Sequence, residues 1–118
     1  MNVLVVDDEQ LVCWFLDRAL RKWGHEVLTV SSVREAIQAL GNKRFDLVIT
    51  DLKMPEGNGT TLLKQMRDLT TGTQVIVCSA FISPEMAEDF KGKGIVTLRK
   101  PFRLAELQDA VQSAGGLP

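Results

Sequence analysis

Asp7 and Asp8, Asp51, Ser79 and Lys100 stand at or just beyond the ends of four short apolar runs, Val3 to Val6, Phe45 to Ile49, Val75 to Cys78 and Ile95 to Leu98. If those runs are parallel strands, all four ends fall on one edge of a sheet. Three carboxylates gathered there repel one another, by about 4 kcal/mol for two unit charges ~4 Å apart at an effective dielectric of about 20. Something positive must sit among them. A small hard cation such as Mg²⁺, with Mn²⁺ as the alternative, takes oxygen ligands and prefers a few carboxylates plus a phosphoryl oxygen. Lys100 offers a second, fixed positive charge. Carboxylates, a divalent ion, a hydroxyl and a lysine are the parts that phosphoryl transfer needs, because that chemistry is mostly positioning and charge neutralisation. Asp51 stands alone at the end of the central run and is the best candidate nucleophile, whereas the adjacent Asp7 and Asp8 suit an ion. An Asp-Asp pair or a Lys-Pro pair alone is ordinary loop. The argument rests on their joint occurrence in this order.

The elements that must position these residues are legible from periodicity. The four runs and a fifth, Val27 to Val30, are rich in β-branched residues and too short for buried helices, so they read as strands. Stretches of helical period separate them. Leu11, Val12, Phe15, Leu16, Ala19, Leu20 and Trp23 form one stripe, ended by Gly24. Ser32 and Glu35 make a capping box for a second helix on Val33, Ala36, Ile37 and Leu40, stopped by Gly41. Leu62, Leu63, Met66 and Leu69 mark a third. Ser83 before Pro84 caps a short fourth that fades at Lys91-Gly92-Lys93-Gly94, and Leu104, Leu107, Ala110, Val111 and Ala114 carry a fifth from about Arg103. Trp14, Trp23 and the methionines are expected in core or half-buried helix positions. Strand–helix alternation of this kind gives an α/β, doubly wound, five-stranded parallel sheet with five helices. In the order 2-1-3-4-5, the crevice opens between the first and third strands, which deliver the aspartates.

Composition narrows the function classes. The chain has 118 residues, 45% of them hydrophobic, and a net charge of -1. This is the profile of one globular domain, here assigned to residues 1–114 with 115–118 as tail or linker. With no basic field, direct nucleic-acid contact by this chain is not expected, and neither is membrane binding. No apolar run approaches the ~20 residues of a membrane helix, and no signal-peptide pattern opens the chain. A cytoplasmic location follows as the expectation. Cys13 and Cys78 belong to no Cys-x-x-Cys pair and read as two buried thiols, not zinc ligands. His25, the one histidine, is expected on the surface of a helix-to-strand turn.

Val3-Leu4-Val5-Val6-Asp7-Asp8-Glu9, Asp46-Leu47-Val48-Ile49-Thr50-Asp51-Leu52-Lys53-Met54-Pro55 with Gly59 beyond, Ser79-Ala80 and Lys100-Pro101-Phe102 together resemble the receiver domain of two-component response regulators. The match runs from Val3 to Ala114 and implies a flavodoxin-like fold. It implies further that Asp51 accepts a phosphoryl group from the phosphohistidine of a sensor histidine kinase or phosphotransfer protein. Mg²⁺ would be held by Asp8, Asp51 and the backbone carbonyl of Lys53, with Asp7 helping through water. Ser79 would hydrogen-bond the phosphoryl oxygens, Lys100 would ion-pair with them, and the Lys100-Pro101 peptide would be cis. The domain would then be a switch that assists its own phosphorylation and reset, with homodimerisation through the face of the fourth helix, fifth strand and fifth helix. It would not be a turnover enzyme.

The sequence departs from that pattern at Thr97, three residues before Lys100, where the family usually has Tyr or Phe; coupling through the fourth helix and fifth strand is expected to suffer. Lys53 and Phe81, each two residues beyond a site residue, are placed to screen attacking water. Two rivals are weaker. A phosphatase of the haloacid dehalogenase type would need Asp where Lys53 stands. A phosphorylation-independent interaction module would not need Asp7, Asp8, Asp51, Ser79 and Lys100 all in place. The chain stops just after the fifth helix, so it reads as a stand-alone receiver or as a piece of a longer regulator.

Overall fold

The computed structural model describes residues 1–54, 57–58, 62–64 and 72–115. Strands β1 (Asn2–Val6), β2 (Glu26–Val30), β3 (Leu47–Thr50), β6 (Gln74–Ser79) and β7 (Val96–Arg99) form one sheet in the order β2-β1-β3-β6-β7, every pair parallel. A two-residue ladder, β4 (Lys53–Met54) with β5 (Gly57–Asn58), follows the third sheet strand. The helices are α1 (Gln10–Lys22), α2 (Val33–Asn42), α4 (Pro84–Gly92) and α5 (Leu104–Ser113), with residues 62–64 helical in the place of α3. This is the doubly wound order expected. No helix among the described residues is long and apolar enough to cross a membrane.

Continuous apolar runs are required because both faces of the sheet are covered. Val3, Val5, Leu47, Ile49, Ile76 and Cys78 pack with Leu16 and Leu20 of α1 and Leu107 and Val111 of α5. The alternate residues Leu4, Val6 and Val48 pack with Val33, Ala36 and Leu40 of α2 and with Leu62. Val77 meets Leu52 and Phe90 of α4. Each fully buried aliphatic side chain contributes about 1.5–3 kcal/mol, so the layers fix the strand ends firmly.

Local signals account for most boundaries. Gly24 has φ +90° and turns α1 into β2, a conformation that side chains disfavour. Ser32 Oγ accepts from the Glu35 amide at 3.1 Å, and Ser83 Oγ accepts from the Met86 amide at 3.1 Å, capping α2 and α4. Glu35 Oε1 accepts from the Ser31 and Ser32 hydroxyls and not from the Ser32 amide, so only half of the expected box forms. The Lys100-Pro101 peptide is cis.

Several expectations are corrected. The third strand is Leu47–Thr50 instead of 45–49: Phe45 is buried against α2 before the strand begins, and the Asn2 amide is anchored on Asp46 Oδ2 at 2.8 Å. Helix α2 continues through Gly41 to Asn42, because the Lys43 amide still reaches Ala39 O at 3.0 Å and Gly41 keeps an ordinary φ. Trp14 is 59% exposed, with the Arg18 guanidinium 5.0 Å above its ring, and Leu11 and Leu104 are exposed too. Trp23, Met1 and Met86 are half-buried as expected; Met66 and Leu69 lie outside the described residues. Cys78 is buried, but Cys13 is only half-buried, its thiol donating to Asp7 O at 3.2 Å.

His25 is buried, not on the surface. Its Nδ1 lies 3.0 Å from the terminal nitrogen of Met1, and its Nε2 is buried without a partner among the described residues. Burial, seconded by the terminal positive charge, holds its pKa below the ordinary value of 6.5. The unfolded chain therefore binds a proton that the folded chain refuses. Stability is full above about pH 6.5 and falls as pH drops through that value toward the folded-state pKa. His25→Phe, which keeps an aromatic body without the titration, is expected to flatten the fall in urea midpoint between about pH 7 and 5. A fall as steep as wild type's assigns the effect to other groups.

Candidate functional site

The backbone laces the strand ends together. The Asp7 amide donates to Val30 O at 3.1 Å, the Asp51 amide to Val6 O at 3.0 Å and the Lys100 amide to Ser79 O at 2.9 Å. Asp7, Asp51 and Lys100 are thus each held by the strand beside their own, at the carboxyl edge where open α/β sheets bind ligands.

Lys100 gathers the carboxylates. Its Nζ donates to Asp7 Oδ2 at 2.7 Å, to Asp51 Oδ2 at 3.0 Å and to Glu9 Oε1 at 3.0 Å. The other oxygens are also engaged: Asp7 Oδ1 accepts from the Glu9 amide at 2.9 Å, and Asp51 Oδ1 from the Lys53 amide at 3.1 Å. One oxygen from each of Asp7, Asp8 and Asp51 lies within 4.8 Å of the others. Asp7 and Asp51 are buried and Asp8 is exposed, so the cluster opens to solvent on one side. Hard oxygen donors at this mutual distance fit a small divalent cation.

Burial alone would depress Lys100, but its hydrogen bonds to Asp7, Glu9 and Asp51 outweigh it and hold the ammonium above the ordinary lysine range. The site's fixed cation therefore stays charged at neutral pH. Burial raises the Asp7 carboxyl above its ordinary value, against the pull of Lys100 and the Glu9 amide. Burial pushes the Cys13 thiol up to about 11 and Cys78 to about 12, with nearby carboxylates adding to the rise. Neither is a thiolate nucleophile at neutral pH.

Ser79 is buried at the end of β6. Its hydroxyl donates to Phe81 O at 3.3 Å and accepts from the Phe81 amide at 3.4 Å, both long and exchangeable. Phe81 is exposed, so it is no packing residue under the loop. Thr97 is half-buried on β7, paired in register with Val77.

The residue reading missed three participants. Glu9, quoted in the first motif but given no role, is the third carboxylate on Lys100. Thr50, fully buried, donates its hydroxyl to Asp51 O at 3.0 Å. Arg99 ties β7 to the loop before α4 by donating to Ile82 O at 2.8 Å. The apolar run before Asp51 signalled a strand but not the Thr50 contact, and the other two contacts are long-range.

A doubly wound β2-β1-β3-β6-β7 sheet with an acid cluster and a lysine at its carboxyl edge is an open α/β domain whose polar residues gather where such sheets bind ligands. The family model described as response regulator receiver domain matches residues 3–112, and the chain belongs to that family. It is similar to the transcriptional regulatory protein ZraR of Salmonella typhimurium, 34% identical over 115 residues, which are 97% of this chain and 26% of that protein. The chain therefore spans about a quarter of that relative's length. It is 30% identical over 112 residues to the sporulation initiation phosphotransferase F of Bacillus subtilis, covering 94% of this chain and 90% of that one. Its fold is similar to that of the response regulator protein TrrA of Thermotoga maritima in complex with Mg(2+)-BeF, with a TM-score of 0.82, 26% identity and 96% and 97% of the two chains covered.

Proposed function

We propose that the chain is a phosphorylation-dependent switch with Asp51 as the acceptor. An Asp51 carboxylate oxygen attacks the phosphorus of a phosphohistidine on a sensor histidine kinase or phosphotransfer protein. The P–N bond breaks, its electron pair leaves on the imidazole, which takes up a proton, and an acyl phosphate forms on Asp51. Water later attacks the same phosphorus, releasing inorganic phosphate and restoring the carboxylate. Asp7, Asp8, Asp51 and the Lys53 backbone carbonyl would hold Mg²⁺, which supplies neutralisation of phosphoryl charge when bound. Lys100 pairs with the phosphoryl oxygens, and the Ser79 hydroxyl exchanges its long contact to Phe81 O for one of them. The observation that carries this reading is the Lys100 Nζ at 3.0 Å from Asp51 Oδ2, beside three carboxylates with oxygens within 4.8 Å.

The group adds about -1.5 to -2 charge, and charge-assisted bonds from Ser79 and Lys100 contribute about 1.5–3 kcal/mol each. Only the upper end of their sum, about 6 kcal/mol before the contacts that Ser79 and Lys100 give up are deducted, reaches the ~5.5 kcal/mol that inverts a 1:99 equilibrium. The face of α4, β7 and α5 would carry the change to a partner or to a second copy.

Acetyl phosphate with Mg²⁺ is the direct test. Intact-mass spectrometry is expected to show one added phosphoryl group, which does not form when EDTA removes the metal before the donor is added. An unchanged mass under all conditions leaves the phosphorylation-independent interaction module as the better account.

Phe81 is exposed two residues beyond Ser79, where its ring can shield the acyl phosphate from water. Phe81→Ala is expected to shorten the adduct's lifetime severalfold after the donor is removed. Equal decay in the two proteins dismisses the shielding role.

A further inference from the structure

A lysine ammonium has three N–H donors and no acceptor, and Lys100 spends all three, on Asp7, Asp51 and Glu9. It has no donor left for a further anion. A phosphoryl group arriving at Asp51 can therefore be met by Lys100 only if one present partner yields.

The three partners are unequal. The Asp7 side chain is 2% exposed and that of Asp51 8%, and each has a second hydrogen bond from a backbone amide. Releasing either leaves a buried carboxylate without its cation, a costly state. Glu9 is 60% exposed, and among the described residues Lys100 is its one hydrogen-bond donor. Water replaces that contact at little cost.

We infer that Glu9 is a positioning residue that occupies on Lys100 the place an incoming phosphoryl group takes over. It acts through Lys100 and on the site's charge. By holding the ammonium forward it keeps Lys100 poised at the solvent side of Asp51. It also competes with the incoming anion for that cation and repels the anion directly, while its negative charge favours a divalent ion nearby. Two opposite effects follow from one carboxylate: Glu9 assists metal binding and slows phosphoryl uptake. A residue that merely supported the loop would move neither in this split manner.

This inference rests on the acceptor role proposed for Asp51. The test uses the full chain, acetyl phosphate as donor and Glu9→Gln, which keeps the side-chain volume and removes the charge. Asp17→Asn is the control: its carboxylate lines the same cleft as Asp7 and Asp8 but pairs with Arg21 and does not touch Lys100. At saturating Mg²⁺, Glu9→Gln is expected to take up phosphoryl about threefold to fivefold faster than wild type, and calorimetry to give a Mg²⁺ Kd weaker by a similar factor, the size an exposed ion pair commands. Asp17→Asn is expected to keep the wild-type rate. Equal rates for wild type and Glu9→Gln overturn the inference while leaving the acceptor reading intact. Equal acceleration by Asp17→Asn overturns it too, because general charge would then be the cause. A wild-type chain that takes up no phosphoryl group sinks the acceptor reading, and this inference with it.

Discussion

Asp51→Asn is expected to take up no phosphoryl group from acetyl phosphate under conditions that load the wild-type chain. The substitution keeps the shape of the side chain and an oxygen able to accept from the Lys53 amide, now 3.1 Å from Asp51 Oδ1. It removes the one property the reaction needs there, a charged oxygen able to attack phosphorus, since an amide oxygen is a far poorer nucleophile. The backbone bond from residue 51 to Val6 O does not involve the side chain, so the strand end stays in place. Loss of labelling in a folded variant thus reads on chemistry. Asp8 and Asp7 supply the internal comparison, because their oxygens lie within 4.8 Å of the same cluster. An Asp51→Asn protein that still gains the phosphoryl mass, mapped by peptide analysis to Asp7 or Asp8, would reassign the acceptor.

The site was readable because parallel strands deliver their carboxyl ends to one edge, so the chain order of short apolar runs already said which polar residues meet. Asp7, Asp51 and Lys100 are far apart in the chain yet within hydrogen-bond reach around one ammonium. What escaped was everything decided by phase or by long-range pairing. The α1 stripe is wider than the surface the helix presents to the sheet: Leu16, Ala19 and Leu20 are buried, while Leu11 at its N-terminal end points out. Periodicity alone does not say which edge of a wide stripe is wet. His25 looked like a turn residue beside a glycine, but the left-handed turn at Gly24 folds the chain back and buries the ring. Phe45 was apolar because it packs against α2, and hydrophobicity does not distinguish a buried turn residue from a strand residue. Glu9 has its partner 91 positions away, and no local pattern encodes such a distance.

Lys100→Met is expected to lower stability in metal-free buffer by about 3–5 kcal/mol, the cost of leaving buried carboxylates without their cation. Methionine preserves most of the stem that runs under the site and deletes only the ammonium. Asp7 and Asp51, both buried, then face each other with backbone amides as their remaining donors. For a chain this size the thermal midpoint should fall by roughly 10–20 °C. A divalent ion among the same oxygens replaces the missing charge, and ligand that binds only the folded state stabilises it by mass action. Mg²⁺ should therefore raise the midpoint of Lys100→Met by more than it raises that of wild type. An equal Mg²⁺ shift in the two proteins, or a wild-type midpoint without metal, would show that the carboxylates are not restrained by Lys100. The variant also separates two demands on this side chain. Metal binding should survive or tighten without the competing cation, while phosphoryl uptake should slow, because no ammonium remains to meet the group's oxygens. A single lysine then accounts both for the folded state's tolerance of its acidic cluster and for the affinity of that cluster for a phosphoryl group.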